Sequence, residues 1–256
     1  VAKNTVAKLL GDLGTACAKY QDEHLRHLKC KRIQCDEIWS FFGAKMKNAT
    51  EEKVAQGWGD VWTWTAIDAD TKLVPCWMVG QRGLPTAIEF IGDLASRLRY
   101  KVQLTTDGHR PYLEAVEEAF GGDIDFAQLV KIYGPAGGET QNRYSPGQCI
   151  GIKTQRVTGD PDPKHISTSF VERQNLTMRM SMRRFTRLTN AFSKKLENHM
   201  AAIALHFMYY NFARIHQMVK MTPAMAADVA DHAWTVEEIV ALMEPKSLLQ
   251  GISQSN

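Results

Sequence analysis

The run Ile33–Phe42, IQCDEIWSFF, limits what this chain can fold into more than any other stretch. Its residues alternate with period two, so they form a strand whose side chains project to opposite faces. Ile33, Cys35, Glu37 and Trp39 share one face, and Asp36, Ile38 and Ser40 share the other. Ile and Trp on either side mark a central strand, where an acid is costly to bury unless it has a partner or a task. Asp36 and Glu37 are neighbours and point apart, so only one belongs to a given site, and Asp36 is the candidate.

The following elements come in a restrictive order. Residues 60–80 read as a β-hairpin rich in Val, Trp and Thr, turning at Asp68-Ala69-Asp70-Thr71, where Asp is a usual turn residue. Leu84–Tyr100 carries Ile88, Ile91, Leu94, Ala95 and Leu98 at helical spacing, with Pro85 in its first turn. Residues 101–112, KVQLTTDGHRPY, form a short strand ending in Asp107-Gly108-His109, before a helix that starts near Tyr112. Asp107 thus stands at the carboxyl end of a strand, where α/β sheets place their sites. The plain alternative is a turn or capping Asp, and His109 reads either way.

Phe126–Tyr133 is a further strand. Residues 134–167 read as a long Gly- and Pro-rich loop, made basic by Lys153, Arg156 and Lys164. Helices resume at Ser169 and again near Leu188, where Leu188, Phe192, Leu196, Met200, Ile203, Phe207 and Tyr210 form a core stripe. His199, His206 and His216 are expected to be packing or surface residues. A last helix, Thr235–Met243, has Thr235 as its cap. Strand, hairpin, helix, strand, helix, strand, helix is the order of a ribonuclease-H-like fold. The expectation is therefore α/β: a mixed five-stranded sheet with flanking helices, plus an N-terminal helical remnant and C-terminal helices.

Residues 1–14 place Val6, Leu9, Leu10 and Leu13 on one helical face, with Asn4 as cap and Gly14 as stop. Lys3, Thr5 and Lys8 lie off that stripe, where a recognition helix presents polar groups to DNA. The organisation expected is a partial helix-turn-helix and connector over 1–31, a catalytic domain over 32–220 and a helical tail over 221–256.

The stretch Ser169–Met180, SFVERQNLTMRM, carries Glu172, the only acid between Phe170 and Arg187. Glu172 and Arg179 are seven residues apart, about two helical turns, and share a face with Asn175 and Met178 close by. The bland alternative is a solvated helix with Glu–Arg pairs at helical spacing. The net charge of +3 is modest, yet Arg173–Lys220 holds nine basic residues against Glu197 alone. Such a one-sided field favours a polyanion. Arg179, Arg173, Asn175, Arg183 and Lys8 are the DNA-contact candidates.

Five cysteines, odd in number and irregularly spaced, fit a reducing cytoplasm. His24, His27, Cys30 and Cys35 invite a zinc reading, but three fit a helix and the fourth opens a strand, so packing is the simpler expectation. No apolar run is long enough to span a membrane.

In the expected sheet the first and fourth strands are neighbours, so Asp36, Asp107 and Glu172 meet at one edge. Three carboxylates repel, and a divalent cation relieves that repulsion; Mg²⁺ prefers oxygen ligands. Two ions about 3.5–4 Å apart can serve both the attacking and the leaving oxygen.

The segments CDEIWSFFG, TTDGHRPY, STSFVERQNLTMRMSMRRFTRLTNAFSKK and YYNFARIH with MTPAMAA resemble the DDE transposases of bacterial insertion sequences, of the kind grouped with insertion sequence family one. The resemblance runs over almost the whole chain from Asn4. It implies that Asp36, Asp107 and Glu172 are the catalytic metal ligands for Mg²⁺ or Mn²⁺, with two ions, and that Arg179 contacts DNA at the cleavage site. It further implies transposon ends and target DNA as partners, a homodimer or higher assembly on them, and a prokaryotic, nucleoid-associated location in the cytoplasm. Members of that family carry more sequence before the position of Val1, so the chain is expected to be N-terminally shortened. The alternatives are a nuclease of the same fold without strand transfer, and a truncated DNA-binding inhibitor of transposition.

Overall fold

The computed structural model describes residues 1–134, 149–186 and 189–243. At its centre lies β1 (Arg32–Phe42), which pairs antiparallel with β2 (Gly59–Asp68) and parallel with β4 (Gln103–Thr106). β2 pairs with β3 (Trp77–Gly80), β4 runs parallel to β5 (Asp125–Tyr133), and β6 (Cys149–Thr158) closes the far edge antiparallel to β5. The sheet order is β3-β2-β1-β4-β5-β6. Three antiparallel strands next to a parallel pair, with β1 in the middle, is a ribonuclease-H-like arrangement.

The sheet has six strands rather than the five expected, because Cys149–Thr158 is a strand and not part of a loop. Most of its residues are exposed, so no period-two burial marked it in the sequence. The neighbouring Gly- and Pro-rich residues 135–148 lie outside the described residues, as do Arg187 and Leu188.

Alternation along β1 feeds two separate cores. Ile33 and Cys35 pack with Trp64, with α3 (Leu84–Arg97) through Phe90 and Ile91, and with α4 (Pro111–Phe120) through Tyr112. Ile38 lies on the other face, with Val171 and Met178 of α5 (Ser169–Ser181) and Ile203 and Phe207 of α6 (Leu196–Met208). Each fully buried large side chain stabilises the fold by about 1.5–3 kcal/mol in transfer terms. On this second face Gln34 accepts hydrogen bonds from the backbone N–H groups of Phe170 and Val171, at 2.8 and 3.2 Å. Those are N–H groups of a helix start that otherwise lack partners, so β1 fixes where α5 begins. Ser40 meets His199 at 3.1 Å, and Ser193 meets the other ring nitrogen at 3.0 Å, so this histidine is a packing residue held in the core.

The N-terminal expectation needs correction. α1 is one helix of 22 residues, Lys3–His24; Asn4 lies inside it, and Gly14 does not end it. A Cβ at Gly14 would stand 2.5 Å from Ala201, so the glycine permits α1 and α6 to cross closely. The second long helix starts at Leu196 rather than near Leu188, and a π turn, Tyr209–Ala213, follows it. Short helices α2 (Glu51–Ala55), α7 (Pro223–Ala226) and α8 (Val236–Ala241) complete the set, and Thr235 caps α8 in a capping box with Glu238. No described helix is long and apolar enough to cross a membrane.

Candidate functional site

β4 ends at Thr106, opposite Cys35 of β1, so the next residue on each strand brings Asp107 beside Asp36. Gly108 makes that approach possible, since a Cβ there would meet Val130 of β5 at 2.8 Å. One Asp107 oxygen, Oδ1, accepts from the His109 N–H at 2.9 Å, as a turn aspartate does. Gln128 reinforces the strand end by donating to the Asp107 carbonyl at 2.9 Å.

Asp36, Glu37 and Asp107 each offer an oxygen within 4.8 Å of the others, and they are the only such metal-capable cluster among the described residues. Glu37 was not expected here. Alternation does send it to the Tyr112 side, but β4 has ended and no neighbouring strand walls it off from Asp107. The zinc reading finds no support: His24, His27, Cys30 and Cys35 do not form such a cluster.

The three acids line a cleft of about 950 Å³ together with Glu172, Asn175 and Arg179 of α5. Asn175 donates to Asp36 Oδ2 at 2.9 Å. Glu172 stands apart from the cluster of three, because Lys131 of β5 binds its Oε2 and the Thr168 hydroxyl its Oε1, each at 2.5 Å. Met178, close to the Glu172–Arg179 line in sequence, is buried core instead.

Arg82, from the loop after β3, reaches Glu37 at 3.2 Å and Asp107 at 3.6 Å. His109 also lines the cleft, its ring against Trp64 and Tyr112. Nothing local in the sequence singled out Arg82, Lys131 or Thr168. Lys131 carried the best signal, a lone cation in the apolar run FAQLVKIY.

Negative charge here is under pressure. Burial pushes the Asp36 carboxyl up to about 7, the charges of Glu37 and Asp107 adding to it and Glu172 contributing least. Burial, then Asp107, likewise pushes Glu37 up to about 7, only partly offset by the Tyr112 hydroxyl and Arg82. Asn175 Oδ1 is buried without a hydrogen-bond partner. The chemistry of this donor set, three carboxylates within reach of one another, fits the oxygen preference of a divalent cation.

The other DNA-contact candidates are dispersed. Arg173 faces away from the cleft, into a pocket with Lys72 and Arg214. Arg183 follows α5 in a single turn and lines a third depression with Arg184 and His206. Lys8 is exposed on α1 and pairs with Asp12 at 2.5 Å.

No protein-family model matches the sequence, and no curated protein does. Solved structures to which the chain is similar include a chain of the simian T-cell lymphotropic virus intasome in complex with the PP2A regulatory subunit B56 gamma. It is 11% identical with a TM-score of 0.44, over 78% of this chain and 55% of that one. Another is the piggyBac transposase in a synaptic complex with hairpin DNA, 11% identical with a TM-score of 0.36, over 88% of this chain and 57% of that one. The chain thus spans a little over half the length of each.

Proposed function

We propose that this chain is a DDE-type transposase of the insertion-sequence kind, catalysing metal-dependent DNA strand cleavage and strand transfer at transposon ends. The observation that carries the reading is the convergence of Asp36 and Glu37 on β1 with Asp107 just beyond the end of β4, in a cleft shared with Glu172 and Arg179. The motif resemblance around CDEIWSFFG, TTDGHRPY and STSFVERQN supports it independently.

Asp36 and Asp107 would hold Mg²⁺ or Mn²⁺, with Glu37 closing the cluster and Glu172 joining when Lys131 releases it. A bound pair of divalent ions supplies Lewis-acid activation of water or a 3′-hydroxyl and stabilisation of the leaving oxygen. The chain does the rest by positioning. Asn175 orients the Asp36 carboxylate, and Gln128 with the Asp107 turn keeps the β4 end in place. Arg82, Lys131 and Arg179 give the cleft a cationic rim that suits backbone phosphates. DNA is the partner, and strand transfer on paired ends calls for at least two copies of the protein.

The test is cleavage of an end-labelled duplex with Mg²⁺, followed by a strand-transfer assay using a 3′-hydroxyl donor. Mg²⁺-dependent nicking that is lost in Asp107→Asn, together with joined product, is expected. Nicking without joining would favour a nuclease, and no nicking by wild type would overturn the catalytic reading.

A further inference from the structure

The face of α5 turned away from the acids borders a second pocket, about 320 Å³ in volume. Lys72, Arg173, Arg214 and His216 line it, and no carboxylate does. Among the described residues neither Arg173 nor Arg214 forms an ion pair with an acid. Asp68, whose charge acts on Lys72, directs its carboxylate to Thr71 in the β2–β3 turn. Three cations and one imidazole therefore converge in a pocket that no carboxylate lines.

Three details mark the pocket as a built site rather than a patch of surface charge. Gln174 lines it and is only 2% exposed, yet its side-chain nitrogen has no hydrogen-bond partner. An unmet buried donor costs about as much as a lost hydrogen bond, so a missing acceptor is implied. Lys72 is 4% exposed; its φ of +66° belongs to the β2–β3 turn, where its N–H donates to the Asp68 carbonyl at 2.9 Å and its ammonium to the Ala69 carbonyl. Tyr210 fixes it by donating to the Lys72 carbonyl at 3.0 Å, and the Phe170 ring lies 3.4 Å from its ammonium. Finally, the Met218 N–H donates to His216 Nδ1 at 3.3 Å, which leaves Nε2 to carry the proton as a donor.

We propose that this pocket binds a backbone phosphate of nucleic acid, held by Arg173, Arg214, Lys72 and His216 with Gln174 donating from below. A phosphodiester offers acceptor oxygens to forked and pointed donors alike. The site shares only α5 with the acid cleft. Phe170, Arg173, Gln174 and Thr177 line one side of that helix, and Glu172, Asn175, Leu176 and Arg179 the other. The proposal shares its partner, nucleic acid, with the proposed function. Its test involves neither metal nor cleavage, so either can fail alone.

The experiment measures binding of a fluorescently labelled random-sequence DNA duplex to the full chain in EDTA, by anisotropy over a salt series. Arg173 and Arg214 are exposed, so their removal is compatible with folding. The Arg173→Ala/Arg214→Ala variant should bind about tenfold more weakly and lose about one unit of salt slope. Gln174→Met should weaken binding while keeping the slope. A second arm follows thermal stability with inorganic phosphate against chloride at equal ionic strength. Phosphate stabilisation of wild type alone, with DNA binding unaltered in the variants, would show a free phosphate as ligand and overturn the nucleic-acid assignment. Unchanged affinity, slope and phosphate response would overturn the site altogether.

Discussion

Replacing Asp36 by Asn should stabilise the metal-free protein, and the size of the gain follows from the cluster. The Asp36 carboxyl stands at about 7 in the folded chain against an ordinary value of 3.8. Each unit of such a shift corresponds to about 1.4 kcal/mol, so full ionisation carries a ceiling of about 4 kcal/mol against folding. Part of that is repulsion shared with Glu37 and Asp107, which the variant relieves for all three; Asn keeps an oxygen for the Asn175 amide but gives up the acceptor of the Glu37 N–H, which offsets part of the gain. A net gain of about 2 kcal/mol is expected at pH 8, or about 4–8 °C in Tm for a chain of this length.

The sign is set by linkage. A carboxyl whose pKa is raised by folding binds more protons in the native state, so stability falls as pH climbs from about 4 to about 7. The advantage of Asp36→Asn should be full above pH 7, about a third as large at pH 5 and absent below pH 4. Thermal melts in EDTA across that range measure it. Mg²⁺ should narrow the gap by stabilising wild type more than the variant. A variant no more stable than wild type at pH 8, or an advantage independent of pH, would refute the idea that like charges are confined here.

Two further substitutions probe the scaffold and the cleft. Gly14→Ala should cost about 1–2 kcal/mol in urea unfolding, because contact with the Ala201 backbone outweighs the helix-propensity gain. Gly11→Ala on the same helix, with nothing within 4 Å, should instead stabilise by up to about 1 kcal/mol, and equal effects at the two sites would discredit the close crossing. Lys131→Met should leave stability within about 1 kcal/mol, since its pair with Glu172 is partly exposed. It should also tighten Mg²⁺ binding several-fold by calorimetry; unchanged or weaker binding would mean that Glu172 takes no part in holding metal.

The elements legible in the sequence are those whose burial leaves a period. β1 to β5, α3 and α4 could be placed because one or both faces pack on a core. β6 lies largely in solvent at an edge, and a strand that buries little leaves no alternation to read. Gly14 misled for a different reason. A glycine after an apolar stripe is a common helix stop, and only the approach of Ala201, 187 positions away in sequence, shows that it serves packing. The reading of Glu37 failed because strict alternation assigns a face but says nothing about where the neighbouring strand ends. Asp36 and Asp107 were legible because an acid between Ile and Trp, and another at a strand terminus, are locally costly. Lys131, Arg82 and Gln174 belong to sites made by tertiary contact alone.

The pattern of α5 follows from what it separates. Val171, Gln174, Asn175 and Met178 form its buried side, and two of those four are polar amides. Such a stripe is a poor anchor by hydrophobic transfer alone, and the Gln34 bonds to its first turn take up part of that role. Local consistency is broken where it would serve stability best, as happens at functional sites. One amide, Asn175, is spent on the acid that crowds the cleft; the other, Gln174, is left open toward the basic pocket. Because a single short helix turns Glu172 and Asn175 to the cleft and Arg173 and Gln174 to the basic pocket, any shift of its first turn disturbs both linings. A substitution at Gln34 should therefore disturb the metal response and the DNA salt slope in the same variant, whereas substitutions within either pocket should change one and spare the other.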